Sequence, residues 1–454
     1  MRAVWLLVLV VALGGGYWAW GAFESEPPTI QTLTNMTYVG KEHLQEFTVM
    51  DGGRGVETLR VWVQLEDDEV ELLSTRYDGT WHSGSDLNIP RRVQVTLDPK
   101  TNQLPEGRST LLAEATDFSF RRNTTRVEIP LLVDTRAPRV TVLTGLTYVR
   151  QGGAELAVYE LDENSPKHGV QVGDAFFRGF VHPENPKQFV ALYALPHDQR
   201  GASVSVIADD LAGNRTSIPL SISVIESRPT SDRIQLTEAF MRAKISEITG
   251  GEPESVLEGY LALNRDVRED NARTIRKVCS ESSEERLWSE PFLQMPNSKV
   301  GAGFAEARTY VFDGKEVDAQ THLGFDLAST ARAEIPAAND GVVVFAGDLG
   351  IYGRTVILDH GLSLFSLYGH LSELAVEKGQ LVTRGKSLGR SGTTGLAGGD
   401  HLHFAMLLGG TFIDPLEWFD ERWIQEHLEV KLRKATPESS TPLDVPAAPD
   451  DTGA

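Results

Sequence analysis

The chain of 454 residues contains one cysteine, Cys279. A single thiol cannot close an internal disulfide, which excludes a disulfide-stapled secreted scaffold. No partner for metal binding lies near Cys279 in sequence, so it is expected to pack as a small apolar side chain in a helical stretch. Basic residues are scarce: 43 Lys and Arg face 64 Asp and Glu, a formal net charge of −21. That balance argues against nucleic acid as a partner. No HExxH motif occurs, so a glutamate base between two helical histidines is not available. Charge is missing altogether from Ala3 to Phe23. At roughly 1.5 Å per residue, this run can cross a hydrocarbon core of about 30 Å. Trp5 at one end and Tyr17, Trp18 and Trp20 at the other suit the two interfaces, and Arg2 keeps the short end inside. The run is long for a signal peptide, and Gly21-Ala22-Phe23 is a poor cleavage site. An uncleaved single-pass transmembrane helix over residues 1–24 is expected.

What is present is histidine in pattern. Thr321-His322-Leu323-Gly324-Phe325-Asp326 is answered by Asp400-His401-Leu402-His403-Phe404. His322, Asp326 and one His of the second pair make an open metal site, two imidazoles and a carboxylate with a fourth position left to water. On extended chain, side chains at even offsets share a face. One strand would then carry His322 and Asp326 together, with Leu323 and Phe325 toward the core. A second strand would carry His401 and His403. Between them, Leu367-Tyr368-Gly369-His370-Leu371 follows the apolar strand Thr355-Val356-Ile357-Leu358 and the turn Asp359-His360-Gly361. His370 is a candidate base beside the metal, and His360, next to a turn glycine, reads as structural. Glycines at 341, 347, 353, 379, 385, 389, 392 and 395 separate short Val/Ile/Leu segments, the pattern of a compact antiparallel β unit.

From about Pro296 to Trp418 the chain resembles the lysostaphin/LytM-type zinc metallopeptidases, which cut peptidoglycan cross-bridges. The pieces are His322-Leu323-Gly324-Phe325-Asp326, Ile335-Pro336-Ala337, Gly341-Val342-Val343, Asp359-His360-Gly361, Tyr368-Gly369-His370-Leu371, Ser391-Gly392-Thr393-Thr394-Gly395 and His401-Leu402-His403-Phe404. The resemblance implies one zinc ion held by His322, Asp326 and His403, with His370 and His401 as catalytic imidazoles. It implies peptidoglycan peptides as substrate. Two positions depart from the family pattern: Asp400 stands where Pro commonly precedes the histidine pair, and Ala405 replaces an acidic residue after it. Neither is a ligand; both bear on substrate fit.

An internal repeat organises the preceding chain. Leu33-Thr34-Asn35-Met36-Thr37-Tyr38-Val39 is echoed by Leu143-Thr144-Gly145-Leu146-Thr147-Tyr148-Val149. Asp117 with Asn123 parallels Asp210 with Asn214. Leu59, Val61, Val63 and Leu65 alternate with polar residues, as do Val127, Ile129, Leu131 and Val133, where Pro130 suggests an edge strand. Two β-sandwich modules resembling bacterial immunoglobulin-like domains are expected at 25–135 and 136–228, as spacers or partner-binding surfaces. Apolar residues at helical spacing then predict a small helical connector over 229–287, bordering the site. The peptidase domain follows at 288–420, and 421–454 holds the end of an amphipathic helix and a disordered tail.

The expected fold class is mainly β, and the expected function is a membrane-anchored zinc endopeptidase. Acidic charge, the anchor and the lack of wall-binding repeats favour the inner membrane, with the catalytic domain in the periplasm and a D-Ala–meso-diaminopimelate bond as target. Two rivals stand beside it: a non-hydrolytic relative that activates or scaffolds other wall hydrolases, and an adhesion protein whose β modules do the main work.

Overall fold

The computed structural model describes residues 5, 8–16, 23–34, 36–80, 90–199, 201–228 and 230–435. Half of the expected anchor, residues 1–4, 6, 7 and 17–22, lies outside these residues, as does the tail beyond 435. Within the anchor, Trp5 and residues 8–16 are helical, and no helix of the described residues is long and apolar enough to cross a membrane.

The chain forms two compact units, the first made of Met1–Pro138 with Glu163–Pro166 and Asp209–Thr216. In it, a three-stranded sheet (Thr29–Gln31, His43–Met50, Arg91–Leu97) faces a five-stranded one (Thr37–Val39, Thr124–Val133, Gly107–Asp117, Val56–Gln64, Glu69–Arg76). Phe47 and Val49 from one sheet meet Leu59, Val61, Leu111 and Ile129 from the other in a single buried cluster. This is a β-sandwich, and the period-2 alternation produces it directly. Pro130 needs a correction in detail. Its strand is an edge only up to that residue, because Thr37–Val39 pairs alongside from Leu131 onward. The ladder is thus completed past the one residue with no N–H to give. The sequence repeat also has a structural counterpart. Asp117 accepts from Asn123 N and Nδ2 at 2.9 and 2.8 Å, and Asp210 accepts from Asn214 N and Nδ2 at 2.9 and 2.8 Å.

The second unit joins the later β module, the connector and the expected peptidase region. Leu156, Val158, Val190 and Leu192 of the module belong to the same apolar cluster as Leu327, Val356, Tyr368, Phe404 and Trp418. This module therefore shares a core with the expected peptidase region.

The main sheet of that region is built from β1 (Lys299–Ala302), β4 (Phe325–Ala328), β5 (Gly341–Asp348), β6 (Arg354–Asp359), β7 (Leu364–Leu371), β8 (Leu381–Val382), β9 (Leu402–Leu408) and β10 (Thr411–Ile413). Its spatial order is β1-β4-β9-β7-β6-β5-β8, with β10 against β9, and every pair is antiparallel. The hairpin β2 (Glu306–Phe312) and β3 (Lys315–His322) stands in a separate sheet, where Ser231–Gln235 pairs parallel to β2. The connector thus opens with a strand, and only then turns helical.

Strands β7 and β9 are buried at every position. The cause is cover on both faces, which replaces alternation by continuous apolar runs. Tyr368 and Phe404 face the large core, whereas Phe365, Leu367, Ala405 and Leu407 face a second cluster with Ile275 and Cys279. Those last two come from the connector, whose helices are α1 (Glu238–Thr249), α2 (Val256–Ala262) and α3 (Arg268–Val278). Thr237 and Ser255 cap α1 and α2, each accepting from a backbone N–H three residues on. A π turn, Leu263–Val267, joins α2 to α3 without a break. Cys279 ends α3 fully enclosed, and burial pushes its thiol up to about 12, so it behaves as the apolar filler expected.

The closing amphipathic segment is not one helix. Asp420 is extended between Pro415–Phe419 and Glu421–Ile424, where it caps the second piece by accepting from Arg422 N.

Candidate metal centre

The motif around His322 and Asp326 is two strands, which corrects the single strand expected. β3 ends at His322, Leu323 and Gly324 turn, and β4 begins at Phe325. Gly324 is required for contact: a Cβ there would stand 2.7 Å from Cε1 of His403 and from the Phe404 carbonyl oxygen. The turn lets His322 bend back over Asp326, so both still reach one point. β4 and β9 are neighbours, and Asp326 lies directly opposite His403 in their register.

Three donor atoms converge. His322 Nε2 lies 2.9 Å from Asp326 Oδ1 and 3.1 Å from His403 Nδ1, and His403 Nδ1 lies 3.0 Å from Asp326 Oδ1. His322 Nδ1 donates to the Gly303 carbonyl at 2.9 Å, which leaves its Nε2 lone pair facing the other two. Three lone-pair atoms held this close suit a shared cation better than one another, and imidazole with carboxylate is a borderline donor set that zinc accepts. The residues fit the ion implied by the family resemblance. Among the described residues, two further clusters of three carboxylates occur in the first unit, Glu24 with Asp51 and Asp117, and Asp134 with Glu163 and Asp210. Neither contains a histidine.

The two accessory imidazoles stand beside this set. His401 and His370 have ring centres 4.9 Å apart, and His370 is 5.8 Å from His403. His370 Nδ1 donates to the Thr394 carbonyl at 2.8 Å, and His401 Nδ1 to the Gly399 carbonyl at 2.8 Å. His370 thereby keeps Nε2 free, whereas Nε2 of His401 faces Asp326 Oδ1 at 3.4 Å. His370 has φ of +66°, a left-handed backbone rare for a side chain of this size.

Electrostatics separates the two. Burial, reinforced by the charges of His401 and His403, holds His370 well below the ordinary imidazole range. His401 moves up: burial opposes its charge, but the hydrogen bond and charge of Asp326 outweigh it. His403 is brought down to about 4, mainly by burial. For Asp326, burial would raise the carboxyl, yet hydrogen bonds from His322, His401 and His403 hold it well below the usual carboxylate range.

His360 takes no part. It is fully buried between the Asp340 carbonyl at 2.6 Å and Ser366 Oγ at 2.7 Å, in line with a structural role. The two departures from the family pattern also find explanations. Asp400 accepts from Ser391 Oγ at 2.6 Å and Arg332 N at 3.0 Å, fastening the loop before His401. Ala405 lies under α3, where a charged side chain would be buried unpaired.

Several site residues carried no signal in sequence. Arg308 on β2 donates to Asp326 Oδ2 at 2.7 Å, and Tyr352 packs its ring 5.4 Å from that of His403. Arg308 is one arginine among many in an alternating strand, and only the fold brings it to the carboxylate. The site opens into a cleft of about 540 Å³ that Phe240 and Tyr260 of the connector line along with Tyr310, Arg268 and Arg308.

Residues 320–415 match the model of Peptidase family M23. The peptidoglycan DD-endopeptidase ShyA of Vibrio cholerae is 26% identical over 45% of this chain and 42% of its own. The DD-carboxypeptidase/endopeptidase Mpg of Neisseria meningitidis is 35% identical over 21% of this chain and 22% of its own. This chain therefore spans less than half the length of these curated relatives. The catalytic domain of the peptidase lysostaphin from Staphylococcus simulans is 28% identical, with a TM-score of 0.24, covering 28% of this chain and 94% of that one.

Proposed function

We propose that this chain is a zinc endopeptidase that hydrolyses peptide cross-links of peptidoglycan. The observation that carries this reading is the convergence of His322, Asp326 and His403 with two further imidazoles, His370 and His401, that line the same cleft. Zinc bound by the three residues would supply a water acidified toward about pH 7 and a Lewis acid for the scissile carbonyl. The chain supplies the proton traffic. His370, neutral and fixed by Thr394, presents Nε2 as a base to a nucleophilic water. His401, nearer its charged form, donates from Nε2 to the carbonyl oxygen or leaving amine. The aromatic and arginine walls of the cleft position an extended peptide. The matches to named peptidoglycan endopeptidases support the substrate class.

The charge-free run from Ala3 to Phe23 and the net charge of −21 support placement at the inner membrane with the catalytic region in the periplasm. In that setting the D-Ala–meso-diaminopimelate bond is the proposed target. The test is digestion of purified sacculi followed by mass spectrometry of the released muropeptides, with His403→Ala and a chelator as controls. Loss of cross-linked dimers with the wild-type chain alone supports the reading. Intact dimers with zinc-loaded wild type would overturn it in favour of a non-hydrolytic scaffold.

A further inference from the structure

The region matched by the peptidase family ends at residue 415 and starts at 320. The connector lies wholly outside that range, yet its first helix grips the loop on which His370 depends. Lys244 of α1 is buried and donates from Nζ to the Thr393 carbonyl at 2.6 Å. One turn on, Glu247 Oε1 accepts from Gly395 N at 2.9 Å, and its Oε2 accepts from Lys244 Nζ at 2.9 Å. The two side chains form one ion-paired clamp on the peptide groups either side of Thr394. The second of these peptide groups, whose N–H is that of Gly395, carries the Thr394 carbonyl, the acceptor that orients His370.

Beyond the clamp, the loop is held by Leu396 N, which donates to the Ile351 carbonyl at 2.8 Å, and by close contacts at Gly353 and Thr394. Gly395 sits at φ of +68°, and its neighbour Gly353 approaches so closely that a Cβ on it would stand 2.3 Å from Thr394 Oγ1. Thr394 Oγ1 spends its own bonds on the Leu371 carbonyl and Arg354 N. These contacts place the turn, but none of them bonds the polar atoms of the peptide group after Thr394. The clamp does, by holding the carbonyl before and the N–H after. A lysine buried to this degree without a role would be costly, since its charge must be desolvated and its long stem ordered. Its hydrogen bonds to a carbonyl and a carboxylate offset that cost at one defined place.

We infer that Lys244 and Glu247 are positioning residues for the reaction: they fix the Thr394 carbonyl, which holds His370 with Nδ1 protonated and Nε2 free toward the cleft. The connector is in that sense part of the catalytic device. The inference rests on the proposed hydrolase reading for its kinetic consequence, but not for its structural one.

The test uses the full chain with Lys244→Met, Glu247→Ala, Glu247→Gln and, as a control on the exposed face of the same helix, Arg242→Ala. Steady-state hydrolysis of a cross-linked muropeptide dimer gives kcat and KM, while zinc stoichiometry and thermal midpoint report on folding. Lys244→Met and Glu247→Ala should lower kcat about 10–100-fold, the usual scale for losing a partner behind a functional imidazole, with KM and zinc content little changed. Glu247→Gln, which keeps the acceptor for Gly395, should recover much of the loss, and Arg242→Ala should match wild type. Long-range ¹H–¹⁵N spectra of the zinc-free chain supply the second readout: wild-type His370 should show the Nδ1–H tautomer, and Lys244→Met a mixture. A wild-type tautomer in Lys244→Met, or kcat within twofold of wild type, would overturn the inference. Activity lost together with zinc and thermal stability would also overturn it, as a merely structural effect. If the wild-type chain hydrolyses no muropeptide, the proposed function fails, and the tautomer alone decides the clamp.

Discussion

Replacing Arg308 by Gln tests whether the metal carboxylate is held from behind. Asp326 has two oxygens with separate duties. Oδ1 lies within 3.0 Å of both His322 Nε2 and His403 Nδ1, whereas Oδ2 accepts from Arg308 Nη2 at 2.7 Å. Arg308 is anchored in turn by Glu306 Oε1 at 3.3 Å, and its side chain is 19% exposed. A hydrogen bond between charged groups in such a setting is worth about 1.5–3 kcal/mol. Loss of a partner behind a metal ligand costs 10–100-fold in affinity, about 1.4–2.8 kcal/mol. The two routes agree on roughly 2 kcal/mol, or about thirtyfold weaker zinc binding. An opposing effect exists, because the guanidinium repels the cation. Orientation should win, since the carboxylate must be fixed on one oxygen for three ligands to meet. Competition against a chromophoric chelator at neutral pH measures the affinity, and thermal unfolding of the zinc-free form checks that the variant folds. Arg308→Lys, with a point charge in place of the planar fork, should fall between. Equal or tighter zinc binding by a folded Arg308→Gln chain would refute the argument.

His401→Ala should retain zinc within about threefold yet lower kcat by about 10²–10⁴, the scale of a lost acid–base group; zinc loss in parallel with activity would instead make it a ligand. Gly324→Ala should weaken zinc binding without unfolding the chain, because its Cβ would meet the His403 ring and the Phe404 carbonyl at 2.7 Å; unchanged affinity in the same competition assay contradicts this. Glu417 is buried against Ala154, whose N–H it accepts at 2.8 Å, and burial raises its carboxyl from 4.5 to about 8. Between those values the folded chain binds more protons than the unfolded one, so stability falls as pH rises through the window and stays lower above it. Glu417→Gln should remove that slope, by at most about 5 kcal/mol between pH 5 and 8.5, as read from urea midpoints; an unchanged slope would rule the residue out.

The candidate donors were partly legible from local geometry, which offered His322, Asp326 and one histidine of the later pair; the choice of His403 came from the family resemblance. A strand's period of two places His401 and His403 together, and adjacency of the two motif strands does the rest. Alternating apolar residues likewise announce the first sandwich. The strand around His322 was misjudged, since periodicity says nothing about a turn made for a ring packed opposite it. Continuous burial in β7 and β9 was equally unreadable as such, because it reflects what covers each face. Ala405, read as a departure bearing on substrate fit, is fully buried in the apolar cluster that includes Ile275 of α3.

By itself, then, the sequence offered the candidate metal donors His322, Asp326 and a histidine of the 401/403 pair, with further imidazoles nearby, and indicated that the surrounding chain is mostly strand. These follow from residue chemistry and from backbone repeats a few residues long. Only the tertiary structure decided which ring nitrogen faces the site, that Arg308 holds Asp326, and that Lys244 and Glu247 reach the loop at Thr394. Those contacts join residues separated by 18 to about 150 positions. No local period encodes such pairs; packing selects them when the elements meet.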